Sequence, residues 1–280
     1  VPAFALLNQK GGALKTSGSA NLAEQWSRMG LDVLVADLDD QGAATETLVA
    51  EDVTERPTLT DLLKGTADFE EVVMEADPQW RPGGRVDLLP ATLDLEDVWE
   101  TRRPDLPFRL RNLLREVGAY ERYDRIIFDG PPDLGQASVS AIIAADFVVI
   151  PTKCERMHLR GVARTWETVM AVQKNIHPDV DIIAIVPTQY SSGVNEHVAR
   201  LNDLRSVYGW RVTKTTIPFR LKADEASGRG IPASSLSGDA GIAFSTVYKA
   251  LAEEIDERAQ DWPAYKAAQE EKAAQEEVEQ

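Results

Sequence analysis

The chain has 280 residues, 43% of them hydrophobic, with 30 Lys and Arg against 46 Asp and Glu and a formal net charge of −16. That length suits one large α/β domain or two small ones, and no continuous apolar stretch approaches the ~20 residues that span a bilayer, so a cytoplasmic protein is expected. The charge excludes broad attraction to nucleic acid or anionic membrane, leaving any such contact to a local patch, and the single cysteine, Cys154, excludes an internal disulfide or a Cys-rich metal site.

The apolar run Ala3 to Leu7 leads into Asn8 to Ser17, N-Q-K-G-G-A-L-K-T-S, and then into Leu22, Ala23, Trp26 and Met29 at helical spacing, closed by Gly30. This order predicts strand, glycine loop and helix. Such a loop turns backbone N–H groups inward, and the helix N-terminus adds partial positive charge, so the natural guest is a nucleotide phosphate chain. In that reading the run from Lys10 through Gly11, Gly12, Ala13 and Leu14 to Ser17 cradles the phosphates, Lys15 reaches the β- and γ-phosphates, and the Thr16 hydroxyl ligates Mg²⁺. Leu14 stands where such loops carry glycine, and a γ-branched side chain resists positive φ or close approach to phosphate by roughly 1–2 kcal/mol. Asp32 to Asp37 has the continuous apolar character of a strand buried on both faces and runs into L-D-D-Q-G-A-A-T, Leu38 to Thr45. Acidic residues at the end of a parallel strand lie on the edge where α/β sheets bind ligands. Asp39 is the candidate to orient, or deprotonate, an attacking water, and Asp37 to support the Mg²⁺ shell; two aspartates capping a turn is the plainer alternative.

Thr58 to Gly65 and Phe69 to Ala76 read as short helices, Trp80 to Arg85 as a turn and Val86 to Pro90 as a strand. Leu106 to Tyr120 carries Leu106, Leu110, Leu113, Leu114 and Val117 at helical spacing, with Arg109, Arg111 and Arg115 on a solvated face. Tyr123 to Gly135, Y-D-R-I-I-F-D-G-P-P-D-L-G, delivers Asp129 from a strand to the same edge as Asp39. Ala145 to Pro151, Asp181 to Pro187 and Arg211 to Pro218 are expected strands, with helices at Val194 to Tyr208 and Ala240 to Arg258. His158, His177 and His197 lie apart, without acidic or cysteine partners at ligand spacing, and read as structural or exposed. The alternation predicts an α/β fold in one domain: a mostly parallel sheet, helices on both faces, right-handed crossovers. After a domain of residues 1–259, residues 260–280 read as an acidic Ala/Glu/Gln-rich tail, either an exposed helix or disordered, in a terminal region where Arg258 is one of few cations. The tail lacks the basic amphipathic character of a membrane-targeting helix.

The first motif resembles the deviant P-loop of the ParA/MinD family of ATPases, usually K-G-G-V-G-K-T, departing from it at Leu14. The resemblance implies that Lys10 reaches across a dimer interface to phosphates bound by the partner subunit. Asp37, Asp39, Gln41, Gly42, Ala44 and Thr45 match the family's D-x-D-P-Q-G-N-A-T, with Asp40 replacing the proline. Tyr123 to Gly135 is similar to the family's Y-D-x-I-I-x-D-x-P-P-x-L-G, which implies that Asp129 holds Mg²⁺ through a water, and C-E-R-M-H-L-R-G-V from Cys154 is similar to P-x-x-x-x-L-x-G. Thr216 to Pro232, T-I-P-F-R-L-K-A-D-E-A-S-G-R-G-I-P, resembles T-x-I-P-R-N-V-R-L-S-E-A-P-S-x-G-K-P. That implies Pro218 and Phe219 near the adenine and Arg220, Lys222 and Arg229 on the DNA backbone, with Arg200, Arg205, Arg211 and Lys214 nearby completing a positive surface. The likeness runs from residue 3 to residue 258 and implies a P-loop NTPase fold and a ParA-type partition ATPase. Such an enzyme closes as a homodimer on two ATP–Mg²⁺, binds DNA non-specifically on the nucleoid, and positions DNA or a protein cargo with a ParB-like adaptor that stimulates hydrolysis. The alternative is a ParA-like scaffold or regulator in which Leu14 has disabled nucleotide binding or hydrolysis.

Overall fold

Successive side chains of a strand point to opposite faces, and here both faces are apolar. In β1 (Ala3–Leu6), Ala3 and Ala5 enter one core while Phe4 and Leu6 enter another. In β2 (Val33–Asp37) the same division separates Leu34 and Ala36 from Val33 and Val35, and in β5 (Arg125–Asp129) it separates Ile126 and Phe128 from Ile127. Strands of this kind need helices on both sides. The computed structural model describes every residue except 102, 219–225, 227, 228, 279 and 280, and has that architecture.

With β3 (Met74–Glu75), β4 (Val86–Leu89), β6 (Phe147–Lys153) and β7 (Asp181–Thr188), the described residues form a seven-stranded sheet in the order β3-β4-β2-β5-β1-β6-β7. All neighbours pair in parallel except β3, which runs antiparallel to β4 at the edge. Helices Leu106–Glu116, Gln136–Ala144 and Arg156–Asn175 cover the first core. Helices Lys15–Arg28 and Asp239–Gln260 cover the second, where the Phe4 ring lies 5.2 Å from Trp26 and 5.8 Å from Phe147. Among the described residues no helix is long and apolar enough to cross a membrane.

Several boundaries differ from the sequence reading. The Phe69 helix ends at Val72, because the Ala76 amide turns away to the Val86 carbonyl at 2.9 Å and Met74 pairs with Leu88 in β3. Leu106 to Tyr120 is not one helix: the amides of Val117 and Gly118 close its last turn on Leu113 and Arg115, and Ala119–Arg122 makes a separate turn. Arg109 is not merely solvated, since its Nε donates to the Leu63 carbonyl. Arg211 to Pro218 is not a strand. Only Val212 and Pro218 make isolated bridges, to Ile185 and Tyr190, because the intervening amides of Lys214 and Thr215 donate to the Glu254 carboxylate at 2.9 and 3.0 Å. Of the two readings for the tail, the structure shows a helix, Trp262–Val278. Its start is docked, with the Trp262 ring 5.7 Å from Phe147 and 5.6 Å from Trp210, and Lys266 2.6 Å from Asp181.

Candidate functional site

Parallel pairing brings the C-terminal ends of the strands to one edge, where register sets Asp37 of β2 beside Asp129 of β5, and Asp129 beside Leu6 of β1. Both carboxylates are fully buried. Asp129 accepts from the Thr16 hydroxyl through one oxygen and from the Ser19 hydroxyl through the other, each at 2.7 Å. Asp37 accepts from the Thr45 amide and hydroxyl at 2.8 Å and from the Asp39 amide at 3.2 Å. Burial raises both carboxyls above the usual carboxylate range, and the neighbouring Asp129 charge raises Asp37 further. Burial also raises Asp39, whose carboxylate accepts from the Gln41 amide at 3.1 Å. Desolvated carboxylates beside a threonine hydroxyl form the hard oxygen set that suits Mg²⁺.

Lys15 opens the Lys15–Arg28 helix, is only 8% exposed, and makes no ion pair with any described residue. Burial lowers its pKa, opposed by the charges of Asp129, Asp39 and Asp133. An ammonium held in the field of three carboxylates, yet touching none, suits a phosphate oxygen as its direct partner. Ahead of it, Gly12 and Leu14 both take the left-handed backbone, with φ of 72° and 62°. Leu14 therefore follows the path a glycine would take there. Its side chain packs against the second core, beside a cavity of about 10 Å³ shared with Ile217, Ala226, Phe244 and Tyr248. The buried Ala13 accepts at its carbonyl from the Thr188 hydroxyl of β7 at 3.2 Å, and Gly11 lies exposed at the tip. The carbonyl of Ser17, in the first turn of the helix, accepts from the Asn21 amide group at 2.7 Å.

Lys10 donates its amide to the Asn8 side chain at 3.1 Å, and Asn8 in turn donates to the Pro151 carbonyl at 2.7 Å, tying the loop to β6. Gly161 makes this approach possible, since a Cβ there would fall 2.5 Å from Asn8 Oδ1 and 3.2 Å from Lys10 Cγ. Lys153, Arg156, Arg160 and Arg164 escaped the sequence reading. Lys153 ends β6 with its Nζ 3.5 Å from where a Gly12 Cβ would stand, and the three arginines follow at every fourth residue beside Lys10. The available signals were the strand end and the helical period.

The second segment expected at the nucleotide is anchored to the end of β7 and to the Lys15–Arg28 helix. The Ile217 amide donates to Pro187 at 2.8 Å, half-buried Pro218 bridges to Tyr190, and the Ala233 amide donates to Asn21 Oδ1 at 3.0 Å. Phe219, Arg220 and Lys222 lie outside the described residues; Arg229 is exposed. In the surrounding surface expected to be positive, Arg200 is paired with Asp203 at 2.9 Å, and Arg211 is 3.5 Å from Asp181 and stacked over Trp210. His177 Nε2 lies 3.1 Å from the Ala145 carbonyl, the His197 ring accepts from the Ser191 amide at 3.1 Å, and the buried Cys154 thiol is pushed up to about 11.

A family model described as an AAA domain matches residues 2–182. The chain is 32% identical to the sporulation initiation inhibitor protein Soj of Bacillus subtilis, over 82% of this chain and 88% of that protein. It is 33% identical to the chromosome partitioning protein ParA of Caulobacter vibrioides, over 92% and 95%. Among solved structures it is similar to cobyrinic acid a,c-diamide synthase from Mycobacterium smegmatis with bound ADP and magnesium, at a TM-score of 0.77, 25% identity and coverage of 93% and 96%. The fold alone is also shared with the Cyanothece McdA–ATP complex, at a TM-score of 0.80, 21% identity and coverage of 91% and 96%. Similarity of this extent to Soj and ParA, over a site of this geometry, makes the chain a member of the ParA/Soj-like family of partition ATPases.

Proposed function

We propose that the chain binds and hydrolyses ATP with Mg²⁺, closes as a homodimer over two nucleotides, and in that state binds DNA without sequence preference. In this reading it is cytoplasmic and nucleoid-associated, and positions plasmid or chromosomal DNA, or a protein cargo, with a ParB-like adaptor that stimulates hydrolysis. Lys15 carries the proposal: it is buried, unpaired among the described residues, and set at a helix N-terminus beside the hydroxyl of Thr16 and the carboxylate of Asp129. Lys15 and the loop amides hold the phosphate chain, and Lys10 extends to the phosphates of the partner subunit. Thr16 and Asp129 would hold Mg²⁺, with Asp37 supporting them. The ion, when bound, neutralises charge on the phosphate oxygens. Asp39 orients the attacking water, and its raised pKa favours proton acceptance. Pro218 and Phe219 border the adenine; Arg220, Lys222 and Arg229 meet the DNA backbone. The ATPase domain is residues 1–259, with residues 260–280 appended.

The left-handed backbone at Leu14 favours this reading over a nucleotide-free scaffold, because the loop keeps its path without the glycine. Calorimetric titration with Mg·ATP, alongside sedimentation with and without nucleotide, tests it. Micromolar binding with a shift from monomer to dimer is expected. Absence of heat for both the wild type and Leu14→Gly would return the scaffold reading.

A further inference from the structure

The ligand edge of the sheet is divided by charge. Beside the phosphate loop on the β6 side, a cavity of about 260 Å³ is lined by Lys10, Arg156, Arg160 and Arg164 and, among the described residues, by no carboxylate. On the β2 side, a cavity of about 360 Å³ carries Asp40, Glu96, Glu100 and Asp133 and, among the described residues, no cation. None of these charged side chains forms an ion pair with any described residue. Arg164 bonds only the neutral Gln9 at 3.1 Å, and the neighbouring Glu155 faces His158 at 3.8 Å. Alone, the arginine stripe is unfavourable twice over: its members repel at four-residue spacing, and Arg156 and Arg160 sit at the positive end of their helix, whose first turn holds no acid. Met157, 69% exposed, stands among them.

We propose that this division sets the register of a face-to-face homodimer, in which the Arg156, Arg160 and Arg164 stripe of one copy docks on the Glu96, Glu100 and Asp133 face of a second copy. A two-fold axis through the phosphate loop, between the ends of β1 and β5, carries the basic half of each copy over the acidic half of the other, so the contact forms twice and is self-complementary. The inference rests on the dimer proposed above and adds the surface, outside the nucleotide, that selects partner and orientation. DNA is the poorer occupant of the stripe, because a chain of net charge −16 repels a polyanion at long range, whereas the matching acidic face is part of the same edge.

The test is sedimentation of the full chain with Mg·ATP and a fluorescent nucleotide to report occupancy, comparing wild type, Arg156→Glu with Arg160→Glu, and Glu96→Lys with Glu100→Lys. Each double variant is expected to bind nucleotide yet self-associate at least about tenfold more weakly. Mixing the two should restore wild-type association, since one contact is then reversed in sign and the other is native. Unchanged association of either variant, or no rescue on mixing, overturns the charge register while the dimer stands. A wild type that binds nucleotide and stays monomeric overturns the dimer reading itself. If Arg156→Glu with Arg160→Glu loses retention on random duplex while associating normally, the stripe serves nucleic acid and the proposal is wrong.

Discussion

The two edges of the sheet treat charge in opposite ways. Where the strands begin, charges are paired or hydrogen-bonded: Arg125 lies 2.9 Å from Asp256, Lys266 is 2.6 Å from Asp181, and Asp146 accepts from the Ala3 amide at 2.9 Å. Arg258, near the start of β7, is almost fully buried and spends its guanidinium on the Ile183 carbonyl at 2.8 Å, the Arg211 carbonyl at 3.2 Å and Glu254 at 2.7 Å. Where the strands end, Lys15, Asp37 and Asp129 are also buried, yet among the described residues no cation pairs with the carboxylates and no carboxylate pairs with the lysine. The first edge uses charge to hold the fold. The second keeps charge desolvated and uncompensated, a cost that only a ligand of the right sign removes.

Two substitutions should separate these roles most sharply. Arg258→Met leaves two carbonyls and a carboxylate short of their donor, and is expected to lower unfolding free energy by about 3 kcal/mol or more in urea titration, with nucleotide affinity unchanged while the protein is folded. Lys15→Met is the mirror case. Loss of its charge-assisted hydrogen bonds should weaken Mg·ATP binding by roughly 10–100-fold, with stability held within about 1 kcal/mol of wild type because the buried ammonium is itself disfavoured. A large stability loss at Lys15, or a large affinity loss at Arg258, would erase the distinction.

The same contrast explains what could be read from the chain. The phosphate loop, Asp37 and Asp39, and Asp129 each sit in a contiguous run whose strand and turn are encoded by the adjacent residues, so the sequence places them on one edge. Continuous apolar runs in β1, β2 and β5 likewise announce strands buried on both faces. Val212 to Ile217 has the same β-branched composition as a strand, and what denies it a ladder is Glu254, 39 and 40 residues further along. Arg258 belongs by sequence to an acidic solvated terminus, and only the return of its helix onto β7 buries it. The arginines at 156, 160 and 164 gain their meaning from β6 lying beside β1, a pairing of distant segments that no local pattern records.

Asp37 offers a gentler probe of the ligand edge through pH. Its carboxyl is raised by burial and by Asp129, so between the usual carboxylate range and the raised value the native state binds more protons than the unfolded one. Stability therefore falls as pH climbs through that interval, and Asp37→Asn removes this residue's share of the dependence, leaving the part that belongs to Asp129. In the absence of divalent cation, the variant should gain a few degrees in Tm at pH 8 to 9 and match the wild type near pH 4. A gain that is constant across pH would place the effect in packing rather than in charge.

The finest probe is Leu14, where strain and packing oppose each other on one residue. Left-handed backbone costs a non-glycine residue about 1–2 kcal/mol, and partial burial against Ile217, Phe244 and Tyr248 offsets some of it. Leu14→Ala loses the contacts and keeps the strain; Leu14→Gly loses the contacts, relieves the strain, and gains freedom in the unfolded chain. Leu14→Gly should thus exceed Leu14→Ala in stability, by no more than about 1 kcal/mol. Nucleotide affinity is expected to stay within about tenfold of wild type in Leu14→Gly, because the loop already follows the glycine path and has no strain left to release on binding. Tighter binding than that would mean the wild-type loop must leave this conformation to receive phosphate, and Leu14 would then be a brake on the site.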